Sequence, residues 1–145
     1  MIFISHRGNI DGRVPAKENE PNYVTAATHN GYDVEIDVWF TEGNWFLGHD
    51  APQYPIEEHF LQNEKFWCHA KNLDALARML SLGVKCFWHQ KDDYTITSNG
   101  LIWAYPGLPL SPRCVCVMPE LTSISPTSLA DCAGICSDHI KDYKL

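Results

Sequence analysis

The sequence predicts an α/β fold, a trimmed TIM-type β/α barrel with an incomplete outer ring of helices, and three observations lead there. Short apolar runs recur along the chain, IFIS, YDVEIDVWF, FWCH, KCFWH, GLIWAYP, CVCVM and AGICS, with turn or helix signals between them. The runs are continuous rather than strictly alternating, as in parallel sheets covered on both faces. Ionisable and polar residues recur where the runs end: His6-Arg7, Glu35 and Asp37, His49-Asp50, His69 and Lys71, His89-Gln90, Ser137-Asp138. In a β/α barrel the C-terminal strand ends meet around one mouth, so the pattern gathers these side chains around one cavity.

The seven runs read as seven strands, and YTIT or WFLGH supplies an eighth. Parallel strands need crossovers, and two are helical: 22–29, closed by Asn30-Gly31, and 73–82, closed by Gly83. The segments 90–99 and 106–113 are too short or too rich in turn residues for a helix, and 128–132 adds one turn. A complete barrel of this type takes about 250 residues. This chain has 145, so much of the ring must be missing, and a homo-oligomer covering the bared apolar sheet is an expectation.

The length and the absence of a compositional break predict one domain over 1–145. A content of 45% hydrophobic and 20% charged residues excludes a disordered chain and a membrane-inserted one. The net charge of −7 argues against nucleic acid or an anionic membrane surface as partner, so an anionic substrate must be drawn by a local metal, Arg or Lys. Met1 to Ser5 is too short an apolar run for a secretion signal, and the six cysteines sit in apolar runs as buried thiols; a cytoplasmic location is expected.

Residues two apart on a strand point to the same side, so Glu35 and Asp37 present two carboxylates together. Such a pair reads either as a solvated or salt-bridged face or as hard oxygen ligands for Mg²⁺ or Ca²⁺. Leaving two charges unpaired inside YDVEIDVWF costs on the order of several kcal/mol each, so a nearby cation is the economical explanation. Histidine is the side chain whose ordinary pKa suits proton transfer near neutral pH, which makes His6 and His49 the candidates, and Arg7 offers a charged fork to phosphate. His89 and Gln90 read as substrate contacts or as a buried hydrogen-bonded pair, Trp88, Trp103 and Tyr105 as core or rim aromatics, and His29, His59 and His139 as structural or surface groups.

Three segments in order, ISHRG, then Glu18-Asn19, then DVEIDVWFTEGNWFLGHD, resemble the glycerophosphodiester phosphodiesterase family, with its HRG, E-N, E-x-D, T-x-D-G and HD elements. The resemblance implies a β/α barrel and a metal-dependent phosphodiester hydrolase, with His6 and His49 catalytic, Glu35 and Asp37 on a divalent cation, and Arg7 on the phosphate. It is strong over 2–50 and thin beyond. Where the family has E-x-K, this chain has His69-Ala70-Lys71: Lys71 keeps a phosphate-binding role, and His69 as third metal ligand shifts the preference from Mg²⁺ or Ca²⁺ toward Mn²⁺ or Zn²⁺. Glu42-Gly43 replaces the family's Asp-Gly turn, and AGICSDHI is similar to its last strand, which places Asp138 at the mouth. The implied substrate is a small phosphodiester. The competing expectations are a sphingomyelinase D-like phospholipase, with 105–112 as its membrane contact, and a barrel that binds phosphate esters without turnover.

Overall fold

A computed structural model describes residues 1–144. The chain is mixed α/β: a ten-stranded sheet that curls upon itself, with few helices. Its parallel part contains β1 (Ile2–His6), β2 (Asp33–Thr41), β5 (Phe66–Ala70), β6 (Cys86–Trp88), β8 (Ile102–Ala104), β9 (Cys114–Val117) and β10 (Gly134–Ser137). They run side by side in the order β6, β5, β2, β1, β10, β9, β8. These are the seven strands read from the sequence. Both additional runs also pair: β3 (Asn44–Leu47) folds antiparallel onto the end of β2, and β7 (Tyr94–Ile96) antiparallel onto β8. A tenth strand, β4 (Tyr54–Ile56), pairs with β3 and escaped the sequence reading. Between β6 and β7 no ladder forms among the described residues, but Ser98 donates its N–H to the Cys86 carbonyl at 2.8 Å and Thr95 Oγ1 donates to the Trp88 carbonyl at 2.9 Å.

Strand alternation sorts the side chains into two cores. On the convex face, Val34, Ile36 and Val38 of β2, with Cys68, Ala70 and Cys86, pack under helices α1 (Pro21–His29) and α2 (Leu73–Leu82) through Val24, Ala27, Ala75 and Met79. On the concave face, Ile4, Trp67, Phe87, Trp103, Val115, Val117 and Cys136 meet from both arms of the sheet. The Phe87 and Trp103 rings stack at 4.5 Å, and Trp67 lies 6.1 Å from Trp103, so the interior is filled with side chains.

The outer layer departs most from a full barrel. Among the described residues, besides α1 and α2 it has only α3 (Pro126–Ala130) and three 3₁₀ segments, Glu58–Gln62, Pro119–Leu121 and Ile140–Tyr143. The single turn expected at 128–132 starts two residues earlier, because Ser125 caps it by accepting from the Ser128 N–H. No helix among the described residues is long and apolar enough to cross a membrane.

Candidate active site

The concave residues one step above the apolar layer are ionisable, and they line a cleft of about 520 Å³ at the C-terminal strand ends. His6, Arg7, Glu35, His49, His69, Lys71, His89 and Gln90 all contribute to its wall, with Asp37 directly beneath. Every site residue read from the sequence therefore converges on one place.

His6 follows Ile4 on the concave side of β1. Its Nδ1 lies 2.8 Å from Asp138 Oδ1, and because a carboxylate only accepts, Nδ1 carries the proton there. Asp138 is held by Asn9 Nδ2 at 2.7 Å, and its backbone N–H donates to Glu120 at 3.1 Å. The remaining nitrogen, Nε2, stands 3.9 Å from Glu35 Oε2. Burial opposes a charge on His6, but the Asp138 hydrogen bond and the Glu35 charge prevail and raise its pKa above the ordinary value.

Arg7 adopts φ 54°, in the left-handed region that a side chain of this size normally avoids. The strain turns the chain sharply after β1 and aims the guanidinium back into the site, with Nη1 donating to Glu18 Oε2 at 3.2 Å and Nε 3.0 Å from Asp37 Oδ2. Gly8 must follow, since at φ 95° an added Cβ would sit 2.5 Å from the Tyr23 ring. Asn19, also left-handed at φ 64°, donates its backbone N–H to the Arg7 carbonyl. Its side chain grips Asp37 twice, donating to Oδ2 at 2.8 Å and accepting from the Asp37 N–H at 2.9 Å.

Glu35 and Asp37 project from β2 into this space, 3% and 0% exposed. One donor atom each from Glu35, Asp37 and His69 lie within 4.8 Å of one another. Glu35 Oε2 and Asp37 Oδ1 are buried and accept no hydrogen bond; around Asp37 Oδ1 stand His69 Nδ1 at 3.2 Å and Lys71 Nζ at 3.4 Å. His69 stacks on Phe87, and its Nε2 donates to the His89 carbonyl at 3.1 Å. That bond fixes the tautomer and turns Nδ1 toward both carboxylates, 3.6 Å from Glu35 Oε1. A bare lone pair facing two buried anions is repulsive, so a cation belongs at this point, either a proton on Nδ1 or a metal ion. As a proton site, His69 is lifted to about 9: burial opposes, while the hydrogen bonds that a protonated Nδ1 donates to Asp37 and Glu35, and the charges of both, prevail. Burial likewise opposes ionisation of Asp37, yet His69, Arg7 and Lys71 hold it well below the usual carboxylate range.

The other two histidines of the cleft, His49 and His89, are held differently. His49 follows Gly48 on an exposed turn, its ring 42% accessible and its Nδ1 2.8 Å from the fully open Asp50. His89 is buried, pairs through Nδ1 with Asp92 at 2.8 Å, and lies 3.7 Å from the Tyr105 ring; Gln90 and Lys91 beside it are exposed. Its pKa is lowered, chiefly by burial. Of the two readings of His89 and Gln90, the buried hydrogen-bonded pair gives way to pairing of His89 with Asp92, and Gln90 is exposed in the cleft wall.

Sequence reasoning missed Asn9, Asp92 and Lys91, while Tyr105, read as a core or rim aromatic, lines the cleft. For Asp92 a signal existed, a carboxylate three residues after a strand-end histidine; Asn9 carries none. Comparison of the chain with protein-family models, with curated proteins and with solved structures gives no match.

Proposed function

We propose that this protein is a metal-dependent phosphodiester hydrolase acting on glycerophosphodiesters or related small phosphodiesters. The observation that carries the reading is the trio Glu35, Asp37 and His69, with two buried carboxylate oxygens left without hydrogen bonds, set beside a carboxylate-oriented histidine and two further cations. The donor set fits a divalent ion, and the imidazole favours Mn²⁺ or Zn²⁺ over Mg²⁺ or Ca²⁺. Once bound, the ion neutralises charge on the phosphoryl oxygens.

The chain's own residues supply the rest. Arg7 and Lys71 hold the phosphate, each already aligned by Asp37. Of the pair His6 and His49, one takes the proton from the attacking hydroxyl as its oxygen bonds to phosphorus. The other gives a proton to the departing alkoxide, so no charged oxygen is released. Where the substrate carries a hydroxyl next to its phosphate, that hydroxyl attacks and a cyclic phosphate results. Six buried, unpaired thiols fit a reducing compartment such as the cytoplasm. The segment 105–112, which a sphingomyelinase D-like enzyme would press against lipid, contributes none of the exposed large apolar side chains.

The test is hydrolysis of bis(4-nitrophenyl) phosphate and of glycerophosphodiesters with Mg²⁺, Ca²⁺, Mn²⁺ or Zn²⁺, with and without chelator. Turnover is expected to require metal and to fall by at least about 10²-fold in His6→Ala. A folded protein with no turnover under any metal, but with intact phosphate-ester binding, would replace this reading with a non-catalytic binding barrel.

A further inference from the structure

The cleft wall changes character from one side to the other. The ends of β1, β2 and β5 and the turn after β3 bring His6, Arg7, Glu35, His49, His69 and Lys71, whereas β8 and β9 bring Trp103, Tyr105 and Val117 and no charge. Lys91, just after β6, is exposed and followed by the exposed Asp92 and Asp93, so no net charge of either sign builds up there. A phosphate belongs with Arg7, Lys71 and the metal position. The space toward β8 and β9 suits a neutral group.

His89 stands between the two parts. Its Nδ1 donates to Asp92 Oδ2 at 2.8 Å, since a carboxylate only accepts, and the neutral ring then presents a lone pair on Nε2. Burial favours the neutral ring, and a metal ion at Glu35, Asp37 and His69 would favour it further, because a second positive charge nearby is repelled. The ring is fixed in place: it lies 3.7 Å from the Tyr105 ring, and the His89 carbonyl accepts from His69 Nε2 at 3.1 Å. Nε2 has no hydrogen-bond partner among the described residues and, unlike Glu35 Oε2 and Asp37 Oδ1, is not sealed from solvent. A fixed acceptor in the wall of the cleft, with its donor missing, matches an O–H group of a ligand.

We propose that His89 determines specificity: its Nε2 accepts a hydrogen bond from a free hydroxyl on the alcohol portion of the substrate, so that the cleft selects polyol phosphate esters over simple alkyl ones. The assignment rests on the phosphodiesterase reading for the phosphate position. Asp92 holds the tautomer, and Tyr105 lends its ring to the carbon skeleton beside the hydroxyl. A cleft of about 520 Å³ has room for a small ester spanning both parts. An ester without the hydroxyl leaves the acceptor unpaired when it displaces water from it, which weakens its binding.

The experiment is isothermal titration of the protein, in the presence of Zn²⁺, with glycerol 3-phosphate and with n-propyl phosphate, which has the same carbon chain and no hydroxyl. The wild type is expected to bind glycerol 3-phosphate about fivefold more tightly, the worth of one neutral hydrogen bond. His89→Phe keeps a ring against Tyr105 and is expected to bind the two esters alike, with n-propyl phosphate bound as in the wild type. A second readout needs no variant: the ¹⁵N resonance of His89 Nε2 in the wild type should shift with glycerol 3-phosphate and not with n-propyl phosphate. Equal affinities in the wild type, a preference that survives in His89→Phe, or an Nε2 resonance that responds to both esters alike overturns the proposal and leaves the hydrolase reading standing. The expected preference in a protein without turnover supports the role of His89 and removes the hydrolase. Failure of both esters to bind the folded protein overturns both.

Discussion

Two histidines with aspartate partners face the cleft from β1 and from the turn after β3, but the two pairs are not equivalent. Asp138 is buried and fixed by Asn9 and by Glu120, so it imposes one tautomer and one ring orientation on His6. Asp50 is 95% exposed, and its hold on His49 is screened by water. Asp138→Asn is therefore expected to lower kcat by about 10²-fold with KM little changed, and Asp50→Asn by less than tenfold. The same change should move the His6 pKa down, because the Asp138 bond is among the influences that raise it. Histidine ring NMR of the metal-free protein checks this, and an unmoved His6 resonance would contradict the pairing. The sequence showed Glu35 and Asp37 on one side of a strand because a period of two needs no tertiary information. It placed Asp138 at the mouth but not against His6, a contact across 132 residues that depends on β1 and β10 being neighbours.

At the scale of elements, Asn72 ties the site to the scaffold. It caps α2 by accepting from the Ala75 N–H at 3.0 Å, and its side-chain amide donates to the Phe40 carbonyl at 2.8 Å at the end of β2. Lys71 stands immediately before it, its N–H donated to the Val38 carbonyl. Asn72→Ala removes the cap and leaves the Phe40 carbonyl without that donor, for a cost of about 2 kcal/mol. Thermal or urea unfolding should show it, with a rise in KM as Lys71 loses its anchor; an unchanged midpoint would mean water replaces both bonds. The 73–82 helix was legible because Gly83, at φ 71°, ends it; the Asn72 cap at its start emerged only from the structure. β4 was not legible. It has three residues, one of them Pro55, which only an edge strand accommodates. Nor could the short, half-exposed β7 be assigned with certainty before its antiparallel partner was known.

For the molecule as a whole, the outer layer is thinnest over β7, β8 and β9. There Tyr94 and Ile96 remain exposed beside Ile102, Pro109 and Leu110 along an open groove. The length of the chain announced that helices would be missing, but which strands would lack them follows from where α1, α2 and the Ile140–Tyr143 turn pack, all toward β1, β2, β5, β6 and β10. A sheet so thinly clad keeps two buried carboxylates at its open end, and their stability depends on the cation between them. In the metal-free protein that cation is the proton on His69. Its folded pKa of about 9 lies above the ordinary 6.5, so its stabilising contribution is complete below pH 6.5 and is lost as pH rises toward 9. The melting temperature of chelator-treated protein should therefore fall across pH 6.5 to 9 more steeply than that of His69→Gln, which has no proton to lose at this position. Added Mn²⁺ or Zn²⁺ should reverse the fall at the alkaline end, because a bound ion takes the same lone pair and stabilises the folded state in proportion to its occupancy. If wild type and His69→Gln lose stability in parallel over this range, the imidazole does not sit between the carboxylates as a cation and the metal assignment loses its third ligand.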